Sequence, residues 1–281
     1  MLQIYNIADL VFGVDSQLPQ ISGAVWQKFS CDAMPRLLYR VRHAQCLPTP
    51  HGEMTYADAR VRCYRSTQGS ERIYSDLYTH RDTVHIAEKH DGDSILCEVT
   101  VSYDRYPWGA TAEQLYEVLS LPHYLLKFGR LLMHGSYICH EGRAIVFTAP
   151  SGVGKSTQAE LWRKHCGAQV INGDRALLGF DDACPRVYGY PFSGSSDDCR
   201  NVSSPLAAIV ILSQAKENRL ERLPASQAIG QIAKNIYLQP EYRADLPMQL
   251  DFAVRLTQSV PVYHLACVPD ESAVKLLREN L

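Results

Sequence analysis

The stretch best equipped for chemistry is Ala149-Pro150-Ser151-Gly152-Val153-Gly154-Lys155-Ser156-Thr157, which follows the apolar run Ala144-Ile145-Val146-Phe147 and opens onto a helical pattern. Small residues at this spacing let consecutive backbone N–H groups turn inward around a polyphosphate. A helix behind them would point its positive dipole end at the same anion. In that reading Ser151, Gly152, Val153, Gly154, Lys155, Ser156 and Thr157 form a nucleotide cradle, Lys155 reaches the terminal phosphates, and the Ser156 hydroxyl ligates Mg²⁺. The pattern usually begins with glycine, and here that position is Ala149. One added methyl is expected to alter the entry turn and leave the cradle intact.

Such a cradle needs an acidic partner. The apolar run Ala208-Ile209-Val210-Ile211-Leu212 would be a natural strand to end in one, but it ends in Ser213-Gln214. The nearer run Val170-Ile171-Asn172-Gly173-Asp174-Arg175 does carry a carboxylate, directly after the helix of the loop. Asp174 is therefore expected to ligate Mg²⁺ or to take the proton from an attacking hydroxyl. An Asp after Gly173 also suits an ordinary turn.

The elements that must position these residues fall into two halves. From Gln3 to about Tyr106 the pattern is one of strands and turns. Arg60-Val61-Arg62-Cys63 and Ser94 to Ser102 alternate polar and apolar residues, and Asp91-Gly92-Asp93 lies between two strand-like runs as a hairpin turn would. Thr111-Ala112-Glu113-Gln114 reads as a helix capping box, and Pro122 is expected to break or kink that helix before a second apolar stretch from Tyr124 to Leu132. A domain boundary near Pro107 gives a strand-rich N-terminal domain, 1–107, for substrate selection or assembly, and a nucleotide-binding domain, 108–281. In the second half strands and helices alternate, which predicts a mixed-sheet α/β domain. Strands are expected at Ser136–Cys139, Ala144–Thr148, Gln169–Asn172, Ala207–Leu212 and Val262–Cys267, with a hairpin formed by Arg175–Phe180 and Arg186–Tyr190. Helices are expected at Lys155–Cys166, closed by Gly167, at Ala225–Tyr237, at Met248–Ser259, and after Asp270 as N-cap.

The 281 residues suffice for one large domain or two modest ones. A formal net charge of -2 gives no bulk attraction to nucleic acid or to an anionic membrane. The nine cysteines are odd in number and scattered without C-x-x-C spacing, so they are expected to be reduced thiols in a cytoplasmic protein. The N-terminal residues lack the basic-then-apolar order of a secretory signal, and the longest apolar runs are too short to span a bilayer.

Taken together, His134-Gly135-Ser136-Tyr137-Ile138-Cys139, Glu141-Gly142-Arg143, the loop, and Ile171-Asn172-Gly173-Asp174-Arg175 resemble the kinase domain of HPr kinase/phosphorylase and its relatives. That domain shares its nucleotide core with ATP-dependent phosphoenolpyruvate carboxykinase. The similarity is greatest to small HPr-kinase-like proteins of bacterial gene clusters, including kinases of lasso-peptide precursors. It covers roughly Leu132 to Leu223 and extends to a Gly/Ser-rich segment, Gly189 to Asn201. The resemblance implies a P-loop kinase fold, ATP and Mg²⁺ at Gly152 to Ser156, Asp174 as general base or metal acid, and a catalytic-site role for His134. Without the motif, His134 would read as a structural histidine. Gly173 stands where the family has the first Asp of a pair, so a one-way kinase is expected rather than an enzyme that also runs phosphorolysis. Arg200 would then supply a cation to the transferring phosphoryl or to an acidic substrate, or else be a solvated loop arginine.

Other signals carry less. Lys216, Arg219 and Arg222 read as an exposed face. His80, His85 and His90 lack companions at metal-ligand spacing, and His140-Glu141 is not the start of a zinc helix. The expected function is an ATP- and Mg²⁺-dependent kinase acting on a hydroxyl of a peptide, protein or small metabolite, without nucleic-acid or membrane partners. A homo-oligomer is compatible with the resemblance. Two alternatives stand beside it: a nucleotide or other small-molecule kinase, since the loop also resembles that of guanylate kinases, and a non-catalytic ATP-binding module.

Overall fold

The structure is a computed structural model that describes residues 2–16, 24–76, 79–102, 118–194 and 198–281. Two compact units divide the chain: Met1–Leu121 with Gln239–Arg243, and Pro122–Leu238 with Ala244–Leu281. Pro107 and the capping box at Thr111–Gln114 lie outside the described residues.

The first unit is built from β1 (Leu2–Ile7), β2 (Leu10–Ser16), the short helix α1 (Ala24–Gln27), β3 (Leu37–Ala44), β4 (Glu53–Ala57), β5 (Val61–Ser66), β6 (Gly69–Ser75), β7 (Asp82–Asp91) and β8 (Ser94–Ser102). Its strands form one mixed sheet in the order β1-β2-β3-β8-β7-β6-β5-β4. The sequence alternation translates into one buried face. Ile95, Cys97, Val99 and Val101 of β8 are buried beside Leu37, Tyr39 and Val41 of β3, and the residues between them, Leu38, Arg40, Leu96, Glu98 and Thr100, are half-buried. Rings of Tyr5, Phe12, Trp26 and Tyr39 pack edge-on or tilted against one another. The hairpin expected between β7 and β8 is present, and its turn has two residues, with Gly92 at φ +56°.

The second unit contains α2 (Leu121–Lys127), β9 (Arg130–His134), β10 (Ser136–His140), β11 (Arg143–Thr148), α3 (Lys155–Cys166), β12 (Gln169–Asn172), β13 (Arg175–Asp181), β14 (Cys184–Tyr188), β15 (Ser204–Gln214), β16 (Arg219–Arg222), α4 (Ala225–Ala233), α5 (Leu246–Ser259), β17 (Val262–Cys267) and α6 (Glu271–Arg278). The sheet runs β12-β10-β11-β15-β14-β13-β9, and β17 extends it from β15. β15 lies parallel to both β11 and β17 in a sheet covered on both faces, and its sequence is apolar from Leu206 to Leu212. Ile209 and Ile211 face one core with Ala228, Ile232 and Leu256 from α4 and α5. Val210 and Leu212 face another with Trp162 of α3 and Leu277 of α6. The chain is thus a mixed α/β protein with mixed sheets.

Of the helix expected ahead of Pro122, residues 111–117 lie outside the described ones; Val118 is helical, and a turn at Leu119 and Ser120 separates it from α2. Pro122 occupies the first turn of α2, where its missing N–H costs nothing, and the chain leaves that helix through Gly129 at φ +72° into strand β9. One expected element differs. The helix expected to reach Tyr237 ends at Ala233. Its continuation pairs with the edge of β9 instead: His134 N–H donates to the Asn235 carbonyl, and Tyr237 N–H donates to the Leu132 carbonyl. Ladder pairing outcompetes the last helical turn there.

Candidate functional site

β11 ends in the loop, and the loop runs directly into α3. Gly152 and Gly154 adopt φ +80° and +123°, a region that side chains rarely enter, and a Cβ at either would meet nothing within 4 Å. Backbone conformation rather than crowding therefore requires glycine. Gly154 occupies the N-cap position and no side chain caps the helix, so the first N–H groups of α3 are left to whatever occupies the loop. Ala149 is fully buried in the core beneath, with Phe147 and Trp162. This explains the departure from glycine, because the extra methyl points into the core.

Lys155 is only 7 % exposed, and its ammonium donates to the Ala149 and Pro150 carbonyls at 3.1 and 3.3 Å. Burial lowers its pKa from the ordinary lysine range, and the negative charge of Asp174 opposes that shift. Ser151, Gly152, Ser156 and Thr157 are exposed, and Val153 is half-buried. At the end of β15, where the sequence offers no acid, Gln214 donates to the Val153 carbonyl at 3.5 Å.

Asp174 sits at the end of β12, where the chain turns into β13. The turn is held by Asn172, a fully buried residue whose Oδ1 accepts from the backbone N–H groups of Asp174 and Arg175 at 3.0 and 2.8 Å. Its Nδ2 donates to the Tyr190 and Phe192 carbonyls at 3.0 and 2.8 Å, which ties the Gly/Ser-rich segment to the same turn. β9 pairs with β13 so that His134 lies opposite Arg175, and Gly135 N–H donates to the Asp174 carbonyl. This register brings His134 Nε2 to 3.0 Å from Asp174 Oδ1. Thr148, the last residue of β11, donates from its hydroxyl to the His134 carbonyl at 2.7 Å, linking this pair to the strand that feeds the loop.

Arg175 Nε lies 3.0 Å from Asp174 Oδ2, and the guanidinium stacks 5.0 Å from the Tyr237 ring centroid. The His134 hydrogen bond holds the Asp174 carboxyl below its ordinary range. Partial burial opposes this, and the charges of Arg175, His134 and Lys155 reinforce it. The group is an anion at neutral pH with both oxygens engaged and its side chain about a quarter exposed. Arg200 donates its backbone N–H to the Ile171 carbonyl, and its side chain is exposed.

Lys155, His134 and Asp174 thus belong to one neighbourhood, whereas Arg200 is joined to it through its backbone. Asn172 holds a part that the motif alone does not assign to it. The signal was present, because Asn two residues before an Asp is able to close an Asx turn. Tyr237 left no such signal, since its place on Arg175 arises from the edge pairing of residues 235–237 with β9.

Two oxygen groups of this region could serve a cation, although both Asp174 oxygens are engaged by His134 and Arg175. An exposed serine hydroxyl in the first turn of α3 and a carboxylate kept anionic are both oxygen ligands of the sort Mg²⁺ takes.

No family model matches the chain. No curated protein matches it either. Among solved structures, the chain is similar to the HPr(Ser) kinase/phosphatase from Coxiella burnetii, with 11 % identity over 53 % of this chain and 97 % of that one, and a TM-score of 0.29.

Proposed function

We propose that the protein is an ATP- and Mg²⁺-dependent kinase that transfers a phosphoryl group to a hydroxyl of a peptide, protein or small metabolite. The observation that carries the reading is the joining of a Gly-rich loop, with no side chain capping the helix behind it, and its buried lysine to a carboxylate held by His134 and Arg175. The loop amides and Lys155 would bind the β- and γ-phosphates and absorb charge on the transferring group. Mg²⁺, when bound by Ser156 and Asp174, would neutralise phosphate charge. The acceptor oxygen bonds to the γ-phosphorus as the bond from that phosphorus to the β–γ bridging oxygen breaks, ADP departs, and the acceptor proton passes to Asp174.

A carboxylate with depressed basicity is a weak proton acceptor. Its better-suited work is to orient the hydroxyl and take the proton late, which a loose phosphoryl-transfer transition state permits. His134 fixes the carboxylate from one side and Arg175 from the other. Gly173 leaves a single acid at the turn, in keeping with transfer in one direction.

The test is γ-labelled ATP with Mg²⁺ and a panel of serine-containing peptides and small alcohols, followed by mass. Label transfer by the wild type, falling at least about 100-fold in Lys155→Ala and in Asp174→Asn, is the expected result. Transfer undiminished in both variants would overturn the assignment. The absence of Gly173's acid favours one other reading, an ATP-binding module without transfer. It predicts ATP binding with no acceptor-dependent ADP release.

A further inference from the structure

The first unit carries a hollow of about 430 Å³ on the sheet face opposite its aromatic core, within the range of ordinary small-ligand sites, roughly 300–1,000 Å³. Cross-strand register explains its shape. Arg40 on β3 faces Glu98 on β8, Glu98 faces Ala87 on β7, and Ala87 faces Glu71 on β6. The next row on the same face runs Arg42, Thr100, His85 and Ile73. Ala87 and Thr100 are short residues among long ones, so they form a floor and the charged side chains form walls.

The walls differ in how firmly they are committed. Glu71 is held: His85 Nε2 lies 2.6 Å from its Oε2, and the His51 backbone N–H donates to its Oε1 at 3.0 Å. Arg42 is held too, donating to the Asp15 carboxylate at 2.7 Å and to the Asp15 and Val41 carbonyls. Arg40 and Lys89, in contrast, share one carboxylate, that of Glu98, at 3.8 and 3.2 Å. All three side chains are roughly half exposed, and exposed pairs of this kind are weak and exchange readily. Arg40 and Lys89 thus have only the Glu98 carboxylate between them, while Glu71 across the floor is taken up by His85 and the His51 N–H.

We propose that this hollow binds a carboxylate-bearing ligand, an acidic peptide side chain or a free dicarboxylic acid, through Arg40 and Lys89, with the Glu71–His85 pair as its fixed wall. The inference is independent of the kinase reading, because the hollow lies within the first unit and binding requires no ATP.

The experiment titrates the full chain, without nucleotide, into a fluorescein-labelled decapeptide of alternating Glu and Ser and into its Gln-for-Glu analogue, with glutarate as competitor and as a direct calorimetric probe. The Glu peptide or glutarate binds, the Gln peptide binds at least tenfold more weakly or not at all, and Arg40→Glu and Lys89→Glu each weaken binding at least tenfold. Arg219→Glu, an exposed arginine of the second unit, leaves it unchanged. Displacement of the peptide by an equal concentration of glutarate assigns the site to free acids, and displacement only at large excess assigns it to the peptide. The milder Arg40→Gln and Lys89→Gln repeat the test if a charge reversal lowers the melting temperature. Absence of binding by both probes, equal binding of the Glu and Gln peptides, or equal weakening by Arg219→Glu would overturn the proposal.

Discussion

Asp174 owes its ionisation to its neighbours, and that dependence has a sign. Its folded-state pKa lies below the ordinary value of 3.8, chiefly through the His134 hydrogen bond. The stability it contributes is therefore present above that ordinary value and is lost as pH falls through the folded one. Asp174→Asn removes this contribution, so thermal unfolding of the variant should be less sensitive to acidification below about pH 5 than that of the wild type. An equal fall in melting temperature for both proteins would show that the dyad is not coupled to folding. Asn172 makes a second residue-scale prediction. Its carboxamide satisfies two backbone donors and two carbonyls in a fully buried turn. Asn172→Ala should cost about 2–4 kcal/mol in chemical denaturation, because several buried polar groups lose their partners together. A loss under about 0.5 kcal/mol, the size of an ordinary surface substitution, would contradict the turn as described.

At the scale of elements, the segment after β14 is shaped around the carboxylate it passes. Gly194 adopts φ +60°, and a Cβ there would lie 2.9 Å from Asp174 Cγ. Gly194→Ala should therefore reduce transfer about tenfold or more by displacing Asp174, with a melting temperature that changes much less than that of Asn172→Ala. Unchanged turnover would show that the segment does not set the carboxylate's position. The elements legible in the sequence were those with local signals. α3 buries Gln158, Ala159 and Trp162 at helical spacing and closes with Gly167 in the left-handed conformation, and α6 starts where Asp270 accepts from the N–H groups of Ser272 and Ala273. β12 and β17 follow the same rule, with the bounds their apolar runs announce. The illegible ones depend on distant partners. Leu131-Leu132-Met133 is a short apolar run whose periodicity does not separate strand from buried helix, and it becomes β9 because β13 pairs with one edge and residues 235–237 with the other. His134 gains its place beside Asp174 from that same pairing, so the motif marked the residue while the register supplies the geometry.

At the scale of the molecule, the chain passes between its two units after Leu121, Leu238 and Arg243. The short return segment belongs to the first unit, where Tyr242 stacks under the buried Arg72 and Glu241 accepts from the Tyr74 hydroxyl. No helix among the described residues is long and apolar enough to cross a membrane. Within the second unit, parallel pairing of β11, β15 and β17 sets the loop at the carboxyl ends of the central strands, where open α/β sheets hold their ligands. The proposed kinase activity requires that loop to be a phosphate cradle. The most direct test is isothermal titration of Mg²⁺·ATP into the full chain and into Lys155→Ala, with melting temperatures recorded for both. The account predicts saturable 1:1 binding by the wild type, weakened at least about tenfold in a Lys155→Ala protein that remains folded, since a charged phosphate contact is lost. No binding of Mg²⁺·ATP by the wild type at millimolar concentration, or equal affinity in the two proteins, would contradict it.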